Sequence, residues 1–88
     1  MTPLMIPQFR PGVRLHHDAL RARWVVMAPE RMFVPDEIAL AVLQLVDGVR
    51  TSDAIIDALA ESFAAPRAEI ATDVGELLAD LADRGVLA

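Results

Sequence analysis

The stretch that decides the fold is RARWVVMAPERMFVP, residues 21–35. Its alternation of side chains, interrupted by a proline–glutamate pair, predicts two strands joined by a tight turn at residues 28–31. The strand before the turn covers residues 21–28. The strand after it covers residues 32–34 and ends at Pro35, which has no backbone N–H to continue a ladder. This last strand is therefore predicted to lie at the edge of a sheet.

The residues before this stretch predict one further strand and an arm. Residues 13–18 alternate as a first strand does. Residues 1–12 contain three prolines and a glycine, which predict an irregular N-terminal arm. Its apolar residues predict that the arm packs on the domain, on a second copy or on a partner domain; they are Leu4, Met5, Ile6 and Phe9.

Three amphipathic helices are predicted after the strands. Asp36 is a favourable N-cap for the first helix, which is expected to end at residues 47–48. Thr51 can cap the second helix. The third helix runs over residues 66–84 and is ended by Gly85. The three apolar stripes consist of Ile38, Val42, Leu45 and Val46; of Ile56, Leu59 and Phe63; and of Ile70, Val74, Leu77, Leu78 and Leu81.

These elements predict an α+β fold, winged-helix-like, in which a three-stranded antiparallel sheet precedes a three-helix bundle. The 88 residues suffice for one small domain, residues 13–88, after the arm. No apolar run is long enough to cross a bilayer. The absence of cysteine excludes disulfides and thiol chemistry and favours a cytoplasmic location.

The charge is unevenly distributed along the chain. Residues 1–35 carry a net charge of +3 and residues 36–88 a net charge of −8. A winged helix could bind DNA through its third helix, but here that helix is strongly acidic, and phosphate contacts need positive charge. Nucleic-acid binding is therefore kept only as an alternative, beside a dimerisation or docking domain that would use Val25, Met27 and the arm.

Catalytic chemistry is not indicated by any motif. His16 and His17 are adjacent in a predicted strand and point to opposite faces, so they cannot easily share a metal ion. Ser52 and Ser62 have no base in a recognisable pattern. The chain has no glycine-rich phosphate loop. We therefore predict no catalytic residue, no metal site and no cofactor.

Several segments, in this order and spacing, resemble the PqqD family. The resemblance covers residues 10–87 and is carried by Arg14-Leu15, by Trp24-Val25-Val26-Met27-Ala28-Pro29-Glu30 with Met32, by Ala41-Val42-Leu43-Gln44-Leu45-Val46-Asp47-Gly48, and by Asp73-Val74 with Leu77-Leu78. The combination of the Pro-Glu turn with the following LxLxDG pattern is fairly specific. This family belongs to the peptide-binding domains called RiPP recognition elements.

The resemblance implies a non-catalytic peptide chaperone. Such a protein binds the precursor peptide PqqA and presents it to the radical S-adenosylmethionine enzyme PqqE in pyrroloquinoline quinone biosynthesis. A homodimer or a fusion to another pathway protein is a further expectation. In the class, the peptide adds as a strand along the third strand and lies against the third helix.

Carried onto this chain, the implied peptide site consists of Arg31, Met32, Phe33, Val34, Asp73, Leu77, Asp80 and Leu81. A short edge offers few hydrogen bonds, each worth about 1 kcal/mol net, whereas micromolar binding needs about 8 kcal/mol. We therefore expect an apolar groove between the third strand and third helix, lined by Met32, Phe33, Leu77 and Leu81. Arg31 and Asp80 are expected on its rim. Pro35 is expected to shorten the usable edge.

Overall fold

Three antiparallel strands followed by three helices form the fold, as predicted. The structure is a computed structural model and describes residues 5–88. Its elements are β1 (Arg14–Asp18), β2 (Arg23–Ala28), β3 (Arg31–Phe33), α1 (Glu37–Leu43), α2 (Ser52–Phe63) and α3 (Arg67–Asp83). None of the helices among these residues is long and apolar enough to cross a membrane.

The sheet has the order β1-β2-β3, and its register separates two faces. Leu15, Val26 and Phe33 are directly opposite one another across the strands, and all three belong to or pack against the hydrophobic core. The next row, Arg14, Met27 and Met32, therefore lies on the outer face. Val25 is on this outer face and is nevertheless only 2% exposed.

The helices cover the inner face of the sheet. Val26 packs in one cluster with buried residues of all three helices and of the C-terminal segment. The most deeply buried members of that cluster are Val26, Val42, Leu43, Ile55, Val74 and Val86. The α3 stripe is confirmed, since Ile70, Val74, Leu78 and Leu81 are buried and Leu77 is half-buried. The strand β3 and the helix α3 thus pack against the same hydrophobic core.

The N-terminal arm packs on the domain over its described part. Phe9 forms a β-bridge with Leu87 and packs against the core. The Arg10 N–H donates to the Val86 carbonyl at 3.0 Å, and the Ala88 N–H donates to the Gln8 carbonyl at 2.8 Å. Of the three packing partners that the sequence left open, the domain itself is the one observed for residues 5–10. Leu4 lies outside the described residues.

The strand boundaries differ slightly from the predicted ones. Residues 19–22 form the connection between β1 and β2, and Ala22 has a φ of 49°, which an extended strand does not allow. The second strand therefore begins at Arg23 rather than at residue 21. The tight turn is confirmed, because Ala28 pairs with Arg31 and only Pro29 and Glu30 lie between them.

Helix α1 ends earlier than predicted, at Leu43 rather than at residues 47–48. Beyond it, the N–H groups of Leu45 and Val46 donate to carbonyls three residues back. This spacing is that of a tighter 3₁₀-type turn and not that of an α-helix. The Asp47 carboxylate then accepts from the N–H groups of Val49 and Arg50. An aspartate that bonds local backbone in this way competes with helix continuation.

Two apolar residues are less buried than the sequence suggested. Ile38 in the first turn of α1 is 40% exposed, and Phe63 at the end of α2 is 38% exposed. Both were predicted in core stripes; they lie at helix ends, where the stripe leaves the sheet and its neighbours. Trp24 is half-buried outside the core cluster, and its ring contacts that of His17 in a tilted arrangement, with centroids 4.9 Å apart and 52° between the ring planes.

Both predicted helix caps are present, and one of them allows a matched stability test. The Thr51 hydroxyl accepts from the Ala54 N–H at 3.1 Å at the start of α2. Thr51→Ala should lower the free energy of unfolding by about 1 kcal/mol. Thr72→Ala, the same change inside α3, should alter it by less than about 0.5 kcal/mol. Urea denaturation followed by circular dichroism compares the two, and equal losses would contradict the capping role.

The Asp47 loop predicts a pH dependence. The N–H groups of Arg50 and Val49 donate to its carboxylate and hold the pKa of Asp47 below the ordinary aspartate value. Because the folded pKa is lowered, this stabilisation is complete above about pH 4 and is lost as the pH falls through the folded pKa. Carboxyl-detected NMR titration should give an Asp47 midpoint below that of an unfolded aspartate. A midpoint at or above it would contradict the observed hydrogen bonds.

Candidate functional site

The open edge of β3 is the first component of the candidate site. Within residues 5–88, β3 has a single strand neighbour, β2. In a two-residue hairpin the residues flanking the turn are a hydrogen-bonded pair, and such pairs alternate with non-hydrogen-bonded ones. Arg31 and Phe33 therefore direct their backbone groups toward β2. Met32 directs its N–H and C=O toward the open edge.

Val34 and Pro35 follow β3 in the chain. The pairing of β3 with β2 ends at Phe33. Val34 precedes a proline, which favours extended backbone. If the strand alternation continued through these residues, the N–H and C=O of Val34 would face the open edge and Pro35 would lie on the side toward β2. The expected shortening of the edge by Pro35 stays a prediction.

A cleft of about 210 Å³ lies beside this edge, between β3, the start of α1 and the C-terminal half of α3. Its lining residues are Phe33, Val34, Pro35, Asp36, Ala39, Leu77, Asp80, Leu81 and Arg84. Five of them, Phe33, Val34, Leu77, Asp80 and Leu81, were among the eight residues expected from the family resemblance. Spatial proximity of β3 and α3, expected from that resemblance, is thus present in the fold.

The other three expected residues lie outside the cleft. Met32 is opposite Met27 on the outer face and is 55% exposed, so its expected position in the groove with Phe33 is wrong. The reason is that successive strand residues point to opposite faces. Asp73 lies one helical turn before Leu77, along another surface hollow with Ala68, Glu69 and Thr72.

Arg31 lies at the end of the cleft rather than in its wall. A β-carbon placed on Gly85 would be 3.4 Å from its Nη2 atom. The Arg31 guanidinium is therefore beside the C-terminal end of α3. There the residual negative charge of the helix carbonyls favours a cation.

Four lining residues were missed by sequence reasoning: Pro35, Asp36, Ala39 and Arg84. Asp36 was assigned only as the N-cap of α1, and it has that role, because its Oδ1 accepts from the Ala39 N–H at 2.8 Å. Arg84 follows α3 and forms an ion pair with Asp80, with 3.0 Å between its Nε and the carboxylate. Both partners are about half exposed, so the pair contributes little to stability. Its effect is to leave the middle of the cleft nearly neutral.

The cleft shares its floor with the hydrophobic core. Leu81 is only 2% exposed and belongs to the core cluster, whereas Leu77 is half-buried and packs at its margin. The exposed apolar surface beside the edge comes from Val34, which is 51% exposed. The arrangement can accept an extended backbone along β3 and apolar side chains against Val34 and Leu77.

Within residues 5–88, no group of three or more His, Asp or Glu side chains could hold a metal ion. His16 is opposite Val25 and His17 is opposite Trp24, so the two imidazoles lie on different faces of the sheet.

The fold and cleft define a winged-helix-like domain with an open strand edge beside an apolar groove. The family model described as "Coenzyme PQQ synthesis protein D (PqqD)" matches residues 23–87. A PqqA binding protein of Rhodopseudomonas palustris strain BisB5 is 55% identical over 81 residues, which is 92% of this chain and 79% of that protein. The chain belongs to the PqqD family.

Solved structures agree with this assignment. The solution NMR structure of the PqqD truncation of Methylobacterium extorquens PqqCD has a TM-score of 0.77 and 40% identity, covering 100% of this chain and 99% of that one. That protein is described as a functional, stand-alone RiPP recognition element. A lasso peptide synthetase B1 in complex with its leader peptide has a TM-score of 0.79 at 13% identity, covering 94% of this chain and 98% of that one, and shows the likeness of fold alone.

The two leucines of the cleft should differ in their effect on stability. Leu81→Ala should lower the free energy of unfolding by about 3 kcal/mol, because it creates a cavity in the core. Leu77→Ala should cost about 1 kcal/mol, because part of that side chain is already exposed. Urea denaturation measures both, and a cost for Leu77→Ala as large as that for Leu81→Ala would contradict the described burial.

Proposed function

We propose that this protein is a non-catalytic peptide chaperone that binds the PqqA precursor peptide by strand addition at β3. The observation that carries the proposal is the position of an unpaired strand edge immediately beside the cleft between β3 and α3. Its relative from Rhodopseudomonas palustris is named for PqqA binding. The fold also agrees with that of a synthetase in complex with its leader peptide.

The edge supplies register and direction to the bound peptide. The outward N–H and C=O groups of Met32, together with those of Val34 when the bound peptide extends the strand, allow up to four backbone hydrogen bonds, each worth about 1 kcal/mol net. Ordering a flexible peptide costs a further few kcal/mol. Hydrogen bonding alone is therefore insufficient for micromolar affinity, which corresponds to about 8 kcal/mol. The remaining affinity comes from apolar side chains of the peptide that pack against Val34, Leu77 and the exposed part of Phe33.

The presentation of the peptide to the radical S-adenosylmethionine enzyme PqqE, in the cytoplasm, is the second part of the proposal. It is supported by membership of the PqqD family and by the absence of cysteine, which suits a reducing compartment. Catalysis belongs to the enzyme in this scheme, and this chain supplies binding and orientation.

The nucleic-acid alternative is disfavoured by the surface of α3. Its exposed residues include Glu69, Asp73, Glu76, Asp80 and Asp83. The docking alternative loses one of its contact residues, because Val25 is only 2% exposed and offers almost no surface to a partner.

One substitution tests the proposed groove with a matched control. Val34→Asp places a charge in the apolar part of the cleft and should weaken binding of the Rhodopseudomonas palustris PqqA peptide at least about tenfold. Val49→Asp makes the same change at a residue that is 76% exposed in the loop after α1, and it should bind within about twofold of wild type. Fluorescence anisotropy of a labelled peptide gives both affinities.

Circular dichroism melts of both variants provide the control for folding. Wild-type affinity in a folded Val34→Asp protein would overturn the groove assignment. A peptide that does not bind the wild-type protein at all would overturn the proposed function itself.

A further inference from the structure

Charges of opposite sign lie beside the two ends of the β3–α3 cleft. At one end, the Arg31 guanidinium lies beside Gly85 at the end of α3. Its side chain has no ion-pair partner in the part of the chain that the structure describes. Arg31 is exposed and begins the strand whose edge is open.

An acidic residue lies at the other end of the cleft, and a second one lies beyond that end on α3. Asp36 follows β3 and lines the cleft, and its Oδ1 atom is held by the Ala39 N–H. On α3, Asp73 lies four residues before Leu77, about 6 Å farther along the helix axis. Asp73 is exposed, and over residues 5–88 it forms no ion pair.

The strand β3 and the helix α3 run in opposite directions past each other. Asp36, which follows β3, and Asp73, which is in the first half of α3, therefore lie toward the same end of the cleft. Arg31 is near Gly85, and Phe33 and Leu81 line the same cleft. Two strand residues span about as much length as four helical residues, so the end of the cleft beyond Val34 faces the part of α3 that precedes Leu77. Going along the cleft, the walls change from basic through apolar to acidic.

The middle of the cleft adds no net charge to this gradient. Asp80 and Arg84 both line it and neutralise each other at 3.0 Å. Phe33, Leu77 and Leu81 supply its apolar surface. Over residues 5–88, Arg31 at one end and Asp36 and Asp73 at the other form no ion pair and can interact with a charged ligand.

We infer that the cleft selects an extended peptide of fixed charge polarity: a carboxylate side chain beside Arg31, apolar side chains in the middle and a cationic group beside Asp36 and Asp73. This inference rests on the proposed function and adds to it the ligand's charge order. A uniformly cationic peptide, which the net charge of −5 would favour, meets an unpaired guanidinium where the strand edge begins.

Charge-reversal variants test the inference with the Rhodopseudomonas palustris PqqA peptide as the probe. Arg31→Glu and Asp73→Lys should each weaken binding roughly 3- to 10-fold at about 50 mM salt, with a smaller effect at about 500 mM salt, where screening is stronger. Arg31→Gln, which removes the charge without reversing it, should give a smaller loss in the same direction.

Two matched controls change the net charge equally but lie away from the cleft. Arg14→Glu alters an arginine on the outer face of the sheet that forms no ion pair within residues 5–88, and Glu61→Lys alters an exposed acid of α2. Both should bind the peptide within about twofold of wild type. A loss equal to that of the cleft variants would assign the effect to net charge and overturn the inference.

Peptide variants then locate the two charges on the ligand. Replacing the carboxylates in one half of the peptide by amides should abolish the penalty of Arg31→Glu, while the same change in the other half should not. Neutralising the cationic residues should abolish the penalty of Asp73→Lys only in the half opposite to the first. These are double-mutant cycles between protein and peptide.

The outcomes separate the inference from the proposed function. If Val34→Asp abolishes binding while both charge reversals stay within about twofold of wild type, the proposed function stands and the charge polarity is overturned. Tighter binding by Arg31→Glu or by Asp73→Lys would also overturn the polarity. No binding of the peptide by the wild-type protein overturns both.

Discussion

The two-residue turn at Pro29 and Glu30 is the constraint on which the site depends. It makes Ala28 and Arg31 a flanking pair, so the alternation along β3 follows without further choice. Met32 then has its side chain on the outer face and its backbone groups on the open edge. Phe33 has its side chain toward the core and its backbone groups toward β2. A turn that was longer by one residue would exchange these roles and remove the cleft's inner wall.

The turn holds this register against a local cost. Glu30 has a φ of 67°, in the left-handed region that favours glycine. Proline at the preceding position excludes the mirror-image turns usual in short hairpins. A type II turn accepts that proline and has a positive φ at the next residue. Such a residue costs about 1 kcal/mol. The neighbouring turn supports the arrangement, since a β-carbon on Gly12 would be only 3.1 Å from the Pro29 ring. The arm and the hairpin are therefore packed together at the end of the sheet where β3 begins.

Core packing and the cleft cannot be separated in this small domain. Phe33 packs against the core cluster and Leu81 belongs to it, while both line the cleft. Core packing therefore fixes the distance between β3 and α3. The groove is already formed before an extended ligand binds. The residues available for adjusting affinity without loss of stability are the exposed ones, Val34 and Arg31 among them.

Most of the fold followed from local sequence signals. The caps at Asp36 and Thr51, the hairpin turn and the α3 stripe each depend on residues a few positions apart. The predicted end of α1 was wrong because the Asp47 carboxylate accepts hydrogen bonds from the backbone that follows it. Helical periodicity does not show that such hydrogen bonds compete with continuation of the helix. Ile38 and Phe63, which lie at helix ends, were predicted as core residues. Helical periodicity identifies the apolar face of a helix, but it does not show how far the neighbouring elements extend along that face.

The candidate site was predictable to a smaller extent. The family resemblance placed the third strand against the third helix, which gave Phe33, Leu77 and Leu81. Arg84 and Asp36 were missed because they meet in the cleft only through the tertiary arrangement of α1, β3 and α3. Met32 was wrongly placed in the groove beside Phe33. Strand alternation already excluded this position, because the side chains of two successive strand residues point to opposite faces.

Hydrogen exchange at Met32 tests the central claim most directly. In the free protein, the Phe33 amide should be protected by its bond to β2 while the Met32 amide, which faces the open edge, should exchange rapidly. Saturating PqqA peptide should slow the exchange of the Met32 amide, because strand addition gives it an acceptor. NMR-detected exchange with and without peptide measures both residues. Rapid Met32 exchange that is unchanged in the fully bound protein would contradict strand addition at β3.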